Sequence, residues 1–114
     1  MRIPPAATEP DPTFGVIERN RELSEQHDAA AFISAKLEWG PAFDAADEIG
    51  REKRLALAEH SNMLILSKPT TIAGVVALSR YVADLREWEL PDDQGWHQVF
   101  LGTLADAIDE IATA

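Results

Sequence analysis

Apolar residues recur in this chain at steps of three and four, and glycine and proline cut that rhythm into four lengths. The clearest length holds Ile72, Val75, Leu78, Val82 and Leu85, with Val76 beside them. At about 100° per residue these positions gather on one side of an α-helix, while Arg80, Asp84, Arg86 and Glu87 fall elsewhere. No stretch alternates apolar and polar residues for long enough to make a strand; valine and isoleucine sit inside helical periods. The rhythm predicts an all-α fold, a small antiparallel bundle of about four helices with short connections.

The punctuation sets the lengths. Pro4, Pro5, Pro10 and Pro12 each lack a backbone donor and disfavour helix in the residue before. Residues 1–12 therefore read as a disordered lead-in to a single helical domain over 13–114. Asp11 or Thr13 can cap the first helix, and Pro12 suits its first turn. Nothing interrupts from Val16 to Trp39, and Gly40-Pro41 ends a helix of about 13–39. The second helix starts near Pro41, with Asp44, Asp47 and Glu48 close to its positive end. It tolerates Gly50 at roughly 1 kcal/mol relative to alanine and reaches about Ser67, before Lys68 and Pro69. Thr70 or Thr71 caps the third helix, which supplies the central core through Leu78, Val82 and Leu85. The turn-rich run Leu90 to Gly95 precedes a fourth helix, about 96–112, with Trp96, Val99, Phe100, Leu104, Ile108 and Ile111 at helical spacing.

The first two helices form a long N-terminal hairpin of about 40 Å, which the shorter third and fourth helices cannot cover along its full length. Its apolar stripes contain small and polar gaps, as in Val16, Asn20, Leu23, His27 and Ala30, yet they continue into the tip. Ile33, Leu37, Trp39 and Phe43 are the residues expected to bind a partner. A second copy, in a twofold homodimer through the first two helices, or another protein would cover them. A kink at Gly50 folding the hairpin back on itself is the competing expectation.

Charge narrows the partners. Ten Lys+Arg stand against twenty Asp+Glu, a formal charge of −10. No Lys or Arg follows Arg86, while Glu87, Glu89, Asp92, Asp93, Asp106, Asp109 and Glu110 do. Such a surface repels nucleic-acid phosphates and anionic membranes. No apolar run approaches the roughly 18–20 residues of a membrane span, and the proline-rich start lacks the apolar region of a secretory leader. The absence of cysteine excludes a disulfide scaffold and is compatible with the cytoplasm, the expected location.

Two stretches carry a resemblance. Asp11-Pro12-Thr13-Phe14-Gly15-Val16-Ile17-Glu18 is similar to an Asp-Pro-Ile-Phe-x-x-Ile-Glu opening, and Pro69 to Tyr81 follows Pro-Thr-Thr-x-Ala-Gly-x-x-Ala-Leu-x-x-Tyr without a gap. With the aromatic-led last helix from Trp96, the chain resembles a group of small helical proteins of unknown function common in rhizobia and related alphaproteobacteria. The resemblance implies a helical fold and such an origin, and it brings no activity with it. A histidine often follows the opening motif in that group, where this chain has Asn20.

No motif for chemistry rises from the residues. His27, His60 and His97 lack the spacing of metal ligands, and neither a phosphate-binding glycine loop nor a nucleophile elbow is present. No catalytic, cofactor-binding or metal-binding residue and no small-molecule substrate is expected. Arg51, Lys53 and Arg54, flanked by Glu48, Glu52 and Glu59, read as a paired surface. Ala73 and Gly74 read as small so that another helix can approach. Trp88 and Trp96 flank one loop and are expected to pack on each other across it. The expected function is a protein–protein interaction or regulatory module rather than an enzyme. A nucleic-acid-associated regulator is the alternative, and an enzyme comes after it.

Overall fold

A computed structural model describes residues 10–114. Among them are four helices, α1 Pro12–Ala35, α2 Pro41–Ile65, α3 Ile72–Asp84 and α4 Trp96–Thr113, one 3-10 turn at Glu87–Glu89, and no strand. The fold is all-α. Residues 1–9 of the expected lead-in lie outside the described residues. Asp11 and Pro12 belong instead to the start of α1. The Asp11 backbone is extended and its Oδ1 accepts the Thr13 amide at 3.0 Å, so Asp11, not Thr13, is the cap.

α1 stops at Ala35, short of the expected Trp39. A chain that must reverse into an antiparallel neighbour needs several residues outside both helices, and 36–40 supply them. Gly40 completes the reversal at φ 154°, a conformation open to glycine and not to residues with a side chain. α2 runs unbroken through Gly50, so the hairpin does not kink there. It closes at Ile65, two residues before the expected Ser67, whose hydroxyl donates back to the Met63 carbonyl at 3.0 Å.

The helices alternate in direction. α3 runs in the same sense as α1, since Asp11 meets Thr71, Asn20 meets Tyr81 and Asp28 meets Arg86. α4 returns, and Glu110 near its end pairs with Lys68 ahead of α3 at 2.8 Å. One core lies where all four overlap: Ile17, Leu64, Ile65, Val75, Leu78, Val82, Phe100, Leu104 and Ala107. Leu64, Leu78 and Ala107 are wholly enclosed. Leu85 is only half-buried, because α3 has ended and Leu85 serves as its C-terminal cap.

Beyond that core the hairpin projects. α1 and α2, with 24 and 25 residues, extend about 36 Å, against about 20 Å for the 13 residues of α3. No residue from Ala31 to Ala56 is buried. The radius of gyration, 17.9 Å, exceeds the roughly 13 Å of a compact domain of this length. No helix among the described residues is long and apolar enough to cross a membrane.

Trp88 and Trp96 do not pack on each other. Trp88 lies against His27, with ring centroids 4.7 Å apart, and beneath the Arg86 guanidinium at 4.6 Å. Trp96 stacks on His97 at 3.7 Å and leans on Phe100. The 3-10 turn causes the separation, because it directs Trp88 back to α1 while Trp96 opens α4 toward α2.

Candidate functional site

The hairpin tip is built from small residues inside and large ones outside. Ala30 is buried between the two helices, and Ser34, Ala46 and Gly50 are half-buried. Their size lets α1 and α2 approach and leaves little apolar volume within, so the large side chains face outward. Lys53 donates to Gln26 at 3.4 Å across the hairpin, which places both residues on one face. Helical steps from that pair carry the same face to Ile33 on α1 and to Ile49, Ala45 and Ala42 on α2. Ile33 is 57% exposed and Ile49 51%.

Trp39 stands at the very end, 90% exposed, with the half-buried Phe43 ring 5.0 Å from it. Of the four sequence-derived partner residues, Trp39 and Phe43 are therefore in contact, while Ile33 is exposed on the last turn of α1. Leu37 belongs to the connecting loop, not to a helix. Phe32, exposed with the Lys36 ammonium 3.9 Å above its ring, and Ile49 extend the apolar surface beyond those four. Acidic groups border the tip: Glu38, Asp44 and Glu48 are exposed, and Asp47 pairs with Arg51 at 3.0 Å. That ion pair replaces the Glu48 and Glu52 pairing expected of the basic cluster.

Three polar clusters fasten the bundle at the other end. Asp11 Oδ2 accepts the Thr70 and Thr71 amides at 3.2 and 3.1 Å and the Thr71 hydroxyl at 2.7 Å. Thr71 Oγ1 in turn accepts the Gly74 amide and caps α3. Gly74 is small for the carboxylate rather than for another helix, since a Cβ there would overlap Asp11 and press on Pro69. Burial pushes the Asp11 carboxyl up, but the hydrogen bonds from Thr13, Thr71 and Thr70 prevail and hold its pKa below the ordinary value.

Asn20 forms the second cluster and is fully enclosed. Its amide nitrogen donates to His60 Nδ1 at 3.0 Å and Ser61 Oγ at 3.3 Å, and its oxygen accepts the Tyr81 hydroxyl at 2.7 Å. This joins α1, α2 and α3 through neutral groups. Burial, assisted by the Arg19 charge, lowers the His60 pKa and so disfavours the imidazolium. In the third cluster, buried Glu89 accepts Arg86 Nε at 2.6 Å and Ser24 Oγ at 2.8 Å, and Arg86 reaches Asp28 at 3.1 Å. Burial raises the Glu89 carboxyl, while the bonds from Arg86 and Ser24 outweigh it and leave the pKa lowered. The groups of these clusters bond to one another and hold helix to helix.

A cleft of about 240 Å³ lies between α2 and the segment after α3, lined by Arg54, Leu57, Asn62, Trp88, Pro91 and Asp92 among others. Among the described residues, no group of three or more His, Asp or Glu is placed to hold a metal ion. No family model, curated protein or solved structure matches this chain.

Proposed function

We propose that this protein is an interaction module whose hairpin tip docks another protein. One observation carries the reading: Trp39, 90% exposed, stands against Phe43, with Ile33 and Leu37 exposed just before it in the chain, at the end of a hairpin that projects beyond its own core. Large apolar groups kept in water at a projecting end are the usual anchors of a docking surface, with tryptophan the strongest of them. The bundle positions the tip and the tip makes the contact. Glu38, Asp44 and Glu48 around it select a partner with an apolar segment flanked by basic residues. They disfavour a second copy at this place, where like charges would meet. The cytoplasm is the proposed setting, where a chain without cysteine loses nothing to reduction.

Capture from an extract of the source organism tests the reading with three baits: the native chain, Trp39→Ala with Leu37→Ser, and Glu25→Ala as a control on the same hairpin. One protein is expected to come with the first and third baits and not with the second. Its purified form should bind Trp39→Ala at least about thirtyfold more weakly, and bind the native chain less tightly as salt rises. Equal affinity for the native chain and Trp39→Ala would remove the tip from the function.

A further inference from the structure

The cleft between α2 and the segment after α3 holds charges that the bundle does not use. Leu57 and Ser61, only 2% and 1% exposed, close it from beneath, and the half-buried Leu90 and Pro91 line the facing side. Arg54 borders it on α2 and Asp92 on the facing segment. Of the basic cluster on α2, Arg51 pairs with Asp47 and Lys53 donates to Gln26. Arg54 enters no ion pair or hydrogen bond among the described residues, and the residues one helical turn from it, Gly50, Arg51, Leu57 and Ala58, bring no carboxylate. Asp92 is likewise without a partner among the described residues, whereas the neighbouring Asp93 accepts the Gly95 amide at 2.9 Å. A cation and a carboxylate thus line one cleft without meeting.

The two charges lie toward opposite ends. Trp88 packs on His27, whose neighbour Gln26 meets Lys53, so the start of the facing segment lies beside Arg54. Pro91 and Asp93 instead share a hollow with Asn62, Ile65 and Leu66, about two turns farther along α2. The helical rise from Arg54 to Asn62 is about 12 Å.

We infer that this cleft binds an apolar dipeptide with free ends, its carboxylate on Arg54 and its ammonium on Asp92. An extended dipeptide is about 7 Å long, and an ion pair of about 3 Å at each end covers the remaining distance. A free α-amino acid, whose two charges are adjacent, reaches one end only. The volume, about 240 Å³, lies just under the roughly 300 Å³ at which pockets for drug-sized ligands begin, and so suits a ligand this small. The apolar side chains of the dipeptide rest on Leu57 and Leu90. Asn62, exposed at the rim and without a hydrogen bond among the described residues, offers the peptide group a donor and an acceptor. Phosphates are disfavoured, because Glu89, Asp92 and Asp93 line the cleft against the one guanidinium of Arg54. The site is apart from the hairpin tip, so the inference stands or falls independently of the tip's own role.

Isothermal titration calorimetry of the full chain at about 0.15 M salt tests it with three probes: leucyl-leucine, its N-acetyl form and its C-terminal amide. The native chain is expected to bind the free dipeptide with a dissociation constant of about 0.1–1 mM, and each blocked form at least about fivefold more weakly. Arg54→Gln should bind the free dipeptide and its amide alike, and Asp92→Asn should bind the free dipeptide and its N-acetyl form alike. Both side chains are exposed, so far-UV circular dichroism should not change in either variant. Trp39→Ala should bind the dipeptide as the native chain does. No binding of leucyl-leucine at about 10 mM overturns the inference, as does equal binding of the blocked forms by the native chain, or discrimination against them retained in both variants.

Discussion

Asp11 offers the sharpest perturbation of the fold, because one carboxylate both caps α1 and receives the start of α3. Asp11→Ala removes the acceptor for the amides of Thr13, Thr70 and Thr71 and for the Thr71 hydroxyl. Loss of a cap costs about 1 kcal/mol. Hydrogen bonds to a charged acceptor contribute about 1.5–3 kcal/mol each, discounted here because water enters where the carboxylate was. A total near 3 kcal/mol follows, a large share of the roughly 5–15 kcal/mol of a small domain. With a urea slope of about 1.5 kcal/mol per molar, the midpoint should fall by about 2 M.

Gly74 turns this into a cycle. Gly74→Ala alone should cost about 1–3 kcal/mol, although alanine is the better helix former, because its Cβ overlaps the Asp11 carboxylate. In the Asp11→Ala background only the tight contact with Pro69 remains, partly offset by the better helix propensity of alanine, so the same change should come within about 1 kcal/mol of neutral. Urea titrations of the four proteins, followed by tryptophan fluorescence, measure the coupling. If Gly74→Ala is as destabilising without the carboxylate as with it, the clasp is not what fixes glycine at this position.

Leu78→Ala, at a wholly enclosed site, should cost about 2–5 kcal/mol by denaturant midpoint, whereas Trp39→Ala should stay within about 0.5 kcal/mol of the native chain. Arg86→Ala should cost about 2–3 kcal/mol by removing the charged partner of buried Glu89, and Glu89→Gln in that background should recover part of the loss. The His60 pKa is lowered by folding, so its contribution is complete above the unfolded value near 6.5 and diminishes as pH falls below it; His60→Gln should flatten that part of a stability–pH profile. The folded carboxyls of Asp11 and Glu89 lie below their ordinary values of 3.8 and 4.5, so their stabilisation is present above those values and disappears at lower pH. Asp11→Ala should remove its part of that acid-side loss in thermal melts from about pH 5 to 2.

Local signals in the sequence determined the helical class and the number of helices. Apolar spacing identifies Leu78 and Val82 as a core face, and Pro41, Pro69 and Gly40 mark where helices begin and the chain turns, because these act within a few residues of backbone. The excess length of the hairpin and the apolar character of its tip were legible for the same reason, as simple counts of residues per helix. Only the tertiary structure decided what lies opposite each face. Asn20 reads as a polar gap in a stripe until His60, Ser61 and Tyr81, each about forty or more positions away, surround it. Asp11 and Gly74 each look like ordinary punctuation, and their dependence on each other arises from a contact across sixty-three positions. Sequence proximity across the loop pointed Trp88 at Trp96, and the structure sets it against His27 instead, since a single 3-10 turn determines which way its ring points. Periodicity fixes the side of a helix on which a residue lies, whereas the group it meets there depends on how whole helices pack.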